Sequence, residues 1–257
     1  TKSTYSWLSH YYVGEQFNPE MGYLKENDIH NIRFGHSKNW YNPFINFRKA
    51  NLRGYSSLKY DHKFSFKQQN FDLVSELNTY KNVQLALKLK AKKEKLLEDI
   101  DIYDLTIKQH TYSTFRQVIE AKKVKTGSYS YGFSASLGEY FDGSLRDIGI
   151  HASIKPFRDL TTRLSLRHLN ASIRAGGFNF YLVDFSSSLQ FSPENSTKLN
   201  IQYNNFSKSF SGNIIYRHFF NSQDGLFFIL NYVNQHDTIP HSESQVLLKY
   251  TRSYSIF

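Results

Sequence analysis

The sequence predicts an all-β protein, an antiparallel transmembrane β-barrel with roughly 12–14 strands in this chain. Three observations predict it. Apolar side chains recur at every second position, the alternating runs are long enough to cross a bilayer, and short turn-forming segments separate them.

The alternation is plainest in Val83–Lys92, where Val83, Leu85, Leu87, Leu89 and Ala91 alternate with Gln84, Ala86, Lys88, Lys90 and Lys92. A helix would scatter those lysines around its surface, whereas a strand gathers them on one face. Tyr129, Tyr131, Phe133, Ala135 and Leu137 alternate in the same way with serines and glycines, and Ile148, Ile150, Ala152 and Ile154 with Gly149, His151, Ser153 and Lys155. Leu164 and Leu166 lie between Arg163, Ser165 and Arg167, and Leu199, Ile201 and Tyr203 between polar residues. Such runs approach the roughly 9–11 residues of a tilted membrane strand. Strands of water-soluble sheets average about five to six.

Turn chemistry punctuates the runs at Lys125-Thr126-Gly127-Ser128, Asp142-Gly143-Ser144, Pro193-Glu194-Asn195 and Gln223-Asp224-Gly225. Connections this tight make consecutive strands antiparallel. The N-terminal third is less regular: a strand at Thr4–Tyr12, a turn at Phe17–Gly22, a strand near Ile29–Trp40, and a break at Asn42-Pro43. Glu94–Gln109 lacks alternation and reads as a loop. The chain closes on a strand at Val246–Phe257, in which Val246, Leu248, Tyr250, Tyr254 and Ile256 share a face that Arg252 interrupts. Tyr254 and the final Phe257 are expected to act as the kind of terminal aromatic signal that outer-membrane assembly machinery reads. No linker or composition shift divides residues 1–257, so one domain is expected.

Composition agrees. Aromatic residues make up 17% of the 257 residues, and rings with a polar tip favour both strands and the membrane–water boundary. Mean hydropathy is only −0.54, yet a membrane strand shows lipid every second residue and hides its polarity from an average. No stretch approaches the ~18–20 apolar residues of a membrane helix. Absence of cysteine excludes a disulfide framework, a thiolate nucleophile and Cys-ligated zinc. The formal charge of +10 suggests an acidic partner.

Phe17-Asn18-Pro19-Glu20-Met21-Gly22, Gly138-Glu139-Tyr140-Phe141-Asp142-Gly143 and Ile201-Gln202-Tyr203-Asn204-Asn205, in this order, together with Tyr216-Arg217 and Leu226–Tyr232, resemble segments of a family of large bacterial outer-membrane proteins. Members carry a carbohydrate-binding-like front domain followed by a C-terminal barrel domain of unknown function. The resemblance spans about Tyr5 to Phe257, with Phe17, Asn18, Pro19, Glu20, Gly22, Asp142 and Gly143 as its motif residues. It implies that the chain is the C-terminal part of a larger barrel in the bacterial outer membrane. The expected surroundings are outer-membrane lipid and lipopolysaccharide, the barrel-assembly machinery, and other outer-membrane or periplasmic subunits.

In such a barrel Lys88, Lys90, Lys92, Arg116, Lys122, Arg163 and Arg167 point to the lumen, where a basic lining would favour anions. The alternative is that they pair with inward carboxylates such as Glu76 and Glu120. Asp99, Asp101 and Asp104 have the oxygen chemistry of a calcium site but lack the glycine and distal glutamate of an EF-hand, and an acidic loop balancing Lys92, Lys93 and Lys95 is the favoured reading. No nucleophile elbow, phosphate loop or dinucleotide fingerprint occurs, so no catalytic residue and no cofactor are expected. Nucleic-acid binding is not expected, because the aromatics fall opposite the basic residues. Three function classes stay open: a pore, passage or assembly platform for saccharide or anionic solutes, a plugged barrel acting as a surface scaffold, and a soluble β-protein that binds anions.

Overall fold

The computed structural model describes residues 2–17, 28–102, 105–123, 127–221, 224–235 and 241–252. Among these described residues sixteen strands follow in chain order: β1 Lys2–Val13, β2 Ile29–Phe44, β3 Phe47–Tyr60, β4 Phe66–Thr79, β5 Val83–Lys95, β6 Ile100–Ile102, β7 Leu105–Ile107 and β8 Thr111–Lys123. Then come β9 Tyr129–Tyr140, β10 Gly143–Ile154, β11 Leu160–Ile173, β12 Gly176–Gln190, β13 Asn195–Asn204, β14 Ser209–Phe219, β15 Gly225–Gln235 and β16 His241–Thr251. Fourteen form one antiparallel sheet in the order β1-β2-β3-β4-β5-β8-β9-β10-β11-β12-β13-β14-β15-β16, and β6 pairs with β7. The sheet is open: among the described residues β1 and β16 are its edges and do not pair.

Several sequence expectations are corrected. Glu94–Gln109 is not a plain loop, since β5 runs to Lys95 and Ile100–Ile107 folds back as the β6–β7 hairpin. Asn42-Pro43 does not end its strand. Asn42 takes a left-handed backbone (φ 53°), the β2–β3 register shifts between Tyr41 and Phe44, and pairing resumes at Phe44↔Phe47. This is how a bulge absorbs a proline without losing the strand. The closing strand is β16, which starts at His241 and runs to Thr251, with Arg252 directly after it; the rest of the expected strand, residues 253–257, lies outside the described residues.

Two compact units divide the chain. The first comprises Thr1–Ala121, Ser134–Asp147 and Asn170–Phe178, and the second Lys122–Phe133, Ile148–Leu169 and Asn179–Phe257.

In the first unit the register fixes the two faces of β1–β5. Asn31, Asn51, Ser57, Asn70, Lys88 and Lys92 share one face, and Leu8, Ile32, Phe34, Leu52, Phe71 and Leu87 the other. The polar face is the covered one. Asn31 is 2% exposed and Asn51 and Ser57 are buried, whereas Leu8 is 72% exposed and Leu87 43%. A water-soluble sheet does the reverse, burying its aliphatic face.

In the second unit the register again separates two faces, but the burial contrast is weaker: Asn200, Asn213 and Asn231 are half-buried and Gln202 is exposed. Across β12–β16, Asp184, Ser186, Asn200, Gln202, Asn213 and Asn231 share a face, opposite Phe185, Ile201, Ile214, Leu230, Val246 and Leu248. Leu248 is 67% exposed.

Aromatic rings mark both ends of each apolar face. In the first unit Tyr12, His30, Tyr60 and Phe66 are paired in one cross-strand row, with Phe64 stacked on His30, and Trp40 lies towards the other end. In the second, Tyr203, Phe210 and Tyr232 gather at one end, and Tyr216, Phe220 and Tyr250 at the other. Aliphatic side chains such as Leu199, Ile214, Leu230 and Val246, which pair in one row, fill the space between.

Among the described residues one conventional apolar cluster is found, and it is local. Ile107, Tyr112 and Ile173 form it, with Ile100, Ile102, Leu105, Tyr140 and Phe141 packed around, so the β6–β7 hairpin is docked on neighbouring strands by its isoleucines. Lys108 Nζ donates to Asp99 Oδ2 at 2.8 Å and the Gln109 N–H to Asp99 Oδ1 at 2.7 Å, closing its base. The lysine holds the Asp99 carboxyl below its usual value, and the carboxylate pushes the Lys108 ammonium up.

Candidate functional site: the polar face

The two units present different polar chemistry. In the first, the face carries charges that are largely matched. Lys88 Nζ lies 2.5 Å from Glu120, Lys92 Nζ 2.5 Å from Glu94, and Arg53 2.6 Å from Glu76. The Arg116 guanidinium sits over the Tyr140 ring at 5.7 Å, and Arg33 over Tyr11 at 4.5 Å while donating to its hydroxyl at 2.8 Å. Lys90, Lys92 and Arg116 come together with Asp72 around a cavity of about 260 Å3. Of the basic residues singled out from sequence, these and Lys88 thus belong to one neighbourhood, with carboxylates interleaved. Lys122, Arg163 and Arg167 belong to the second unit.

Neutral side chains knit the first unit's face further. Asn51 Nδ2 donates to Asn39 Oδ1 at 2.9 Å, and Asn39 Nδ2 to Ser3 Oγ at 3.1 Å. Asn31 Nδ2 donates to the Tyr11 hydroxyl at 3.1 Å. Trp7 lies against Gly35, where a Cβ would clash with the indole, and reaches Tyr55 at 6.0 Å between ring centres. Here a glycine is needed for close approach: an aromatic from the neighbouring strand covers it on the polar face.

The second unit's face is mixed: amides and hydroxyls lie beside Lys198, Ile215, Ile229 and Leu247, which pair in the neighbouring row of the same face. Asn200 Nδ2 donates to Asn213 Oδ1 at 3.1 Å, Asn213 Nδ2 to Asn231 Oδ1 at 2.5 Å, and Asn231 Nδ2 to Gln245 Oε1 at 3.1 Å. These residues are register partners on β13, β14, β15 and β16, so the amides form one continuous row across the strands. In front of the row lies a cavity of about 700 Å3 that also takes Ser186, Ser211, His151, Arg163 and Asp184 into its lining. His151 lies against Gly132, where a Cβ would clash with the imidazole.

The connections carry their own clasps. Both Asp28 Oδ1 contacts come from His62: its backbone N–H donates at 2.8 Å and its ring Nδ1 lies 2.8 Å away. Burial alone would push the Asp28 carboxyl up, but these bonds and the charge of Lys67 outweigh it and hold it below its ordinary value.

Asp142 accepts the Arg174 backbone N–H at 3.0 Å, and a Cβ on Gly143 would clash with the Ser172 carbonyl oxygen. The Asp-Gly motif therefore locks one hairpin turn against the next. Phe17 is exposed, and Asn18, Pro19, Glu20 and Gly22 lie outside the described residues, as do Asp104, Tyr254 and Phe257. Asp99 is taken by Lys108 and Gln109, and Asp101 accepts from Thr106 Oγ1 at 2.7 Å. Among the described residues no group of three or more His, Cys, Asp or Glu side chains could hold a metal ion.

The amide row and its cavity escape sequence reasoning because both depend on register between strands. The available signal is an asparagine at the polar-face position of successive runs, at Asn200, Asn213 and Asn231. Comparison with protein-family models, with curated proteins and with solved structures returns no match.

Proposed function

We propose that this chain is an outer-membrane β-barrel, or part of a larger one, whose polar face lines a passage for polar solutes and whose apolar face meets lipid and lipopolysaccharide. The observation that carries the reading is the inverted polarity of the first unit: Asn31, Asn51, Ser57 and Thr114 covered, Leu8, Phe34, Leu52 and Leu87 bare. Bare aliphatic area of this extent is unfavourable in water by about 25 cal/mol per Å2, and lipid removes that cost.

The aromatic rows add support. His30 and Trp40 are separated by about 33 Å of strand at ~3.3 Å per residue. A tilt of ~40° would reduce this to about 25 Å, the height of the apolar band in outer-membrane barrels.

A lining of paired charges and neutral amides favours neutral polar solutes over anions. The same cross-linked face also fits a second reading, a plugged barrel that anchors partners at the cell surface. Two measurements test these readings. The full chain, refolded into vesicles, is expected to show heat-modifiable gel mobility, and folding in buffer without lipid or detergent would overturn the membrane reading. In planar bilayers it is expected to give stepwise conductance with little anion selectivity. A heat-modifiable protein without conductance would favour the plugged scaffold.

A further inference from the structure

We infer that the amide row Asn200–Asn213–Asn231 and the cavity before it form a binding site for a neutral polyhydroxylated chain, the chemistry of an oligosaccharide. This deepens the passage reading and rests on it, since the row must face water.

The volume, about 700 Å3, falls within the ~300–1,000 Å3 typical of small-ligand sites. Its lining decides the chemistry. The charged groups are Arg163 and Asp184, of opposite sign, beside His151. An anion drawn to Arg163 therefore meets a carboxylate, and a cation drawn to Asp184 meets a guanidinium. A neutral ligand meets neither penalty.

The row supplies the complementary groups. A primary amide has two N–H donors and an oxygen with two lone pairs. In the interior rungs, Asn213 and Asn231, the row engages one donor and one lone pair of each. Every such rung thus keeps one donor and one acceptor, and a hydroxyl is itself both. The rungs repeat at the strand spacing of ~4.8 Å, close to the length of one sugar residue in an extended chain. Each amide is held by its neighbours and half-buried, so binding freezes few side-chain rotors. Ser186 and Ser211 add hydroxyls beside the row. The corresponding row of the first unit, Ser3–Asn39–Asn51, runs alongside the Arg53–Glu76 ion pair and lacks this neutrality.

The test uses the full chain in nanodiscs, without sugar-headed detergent, and titrates maltohexaose by calorimetry, with hexagalacturonate as its anionic counterpart. Asn213→Leu removes the central rung, and Ser186→Leu, at the register partner of Asn200, fills the cavity while leaving all three amides in place. Asn39→Leu serves as the control in the first unit. The expected result is saturable maltohexaose binding, at least tenfold weaker in both second-unit variants and unchanged in the control. If Asn213→Leu fails to fold, Ser186→Leu decides. Tighter binding of hexagalacturonate, binding indifferent to Ser186→Leu, or no saturable binding would overturn the site. Heat-modifiable mobility is scored on the same samples: a folded barrel that binds nothing defeats the site alone, and a chain that never becomes heat-modifiable defeats the barrel reading beneath it.

Discussion

At the residue scale, the Asp142-Gly143 turn shows how one position can be both legible and misread. The pair is readable as a hairpin signal. Its second job, in which Asp142 caps the Arg174 N–H and Gly143 lets the Ser172 carbonyl approach, involves residues about thirty positions away, which no local pattern reveals. Because the obstacle at Gly143 is backbone, Gly143→Ala is expected to cost about 1–3 kcal/mol, as overpacking does. A urea midpoint for the lipid-inserted protein checks this, and an unchanged midpoint would show that the approach is not tight.

The Asp99–Lys108 clasp makes a pH prediction of the same scale. The Asp99 carboxyl is held low, so its contribution is full above the ordinary aspartate range and is lost as pH falls through its depressed value. The Lys108 ammonium is held high, so its contribution is full below the ordinary lysine range and is lost as pH rises through its elevated value. The base of the β6–β7 hairpin should thus stay closed through neutral pH and loosen at both extremes. Amide exchange over residues 96–110, corrected for intrinsic rates, should show a protected plateau, and protection indifferent to acid would contradict the clasp.

At the scale of the element, alternation is the part of the fold that the chain declares openly. β5, β9, β10 and β13 lie where period-two patterning places them, because a strand's faces are set by parity alone. The β6–β7 hairpin is hidden, since three-residue strands such as Ile100–Ile102 are too short to establish a period and are held by the Ile107–Tyr112–Ile173 cluster. β2 is hidden beyond Trp40 because Asn42 and Pro43 look like a stop, and only the partner strand shows that pairing resumes. The amide row is hidden for a related reason: register is a property of neighbouring strands.

Parity also yields the sharpest contrast in mutation. Leu87→Arg puts a guanidinium on the bare aliphatic face of β5, where a membrane strand loses about 2–4 kcal/mol near the bilayer midplane. Lys90→Gln, on the polar face of the same strand, should change stability by well under 1 kcal/mol. Folded yields in vesicles should separate the two, and equal yields would mean that Leu87 does not face lipid.

For the whole molecule, the central claim is that the leucine-and-aromatic faces look into lipid and the amide-and-lysine faces into water. The chain contains no cysteine, so single cysteines can be introduced without background. Spin labels placed one at a time at Leu85, Ala86, Leu87, Lys88, Leu89 and Lys90 in the vesicle-inserted protein report the environment of each position. Oxygen, which concentrates in lipid, should relax the labels at Leu85, Leu87 and Leu89, and a water-soluble nickel chelate those at Ala86, Lys88 and Lys90, in a period of two. Labels at the leucines shielded from both reagents, with the lysine positions open to bulk water, would show that face packed against protein and contradict the account.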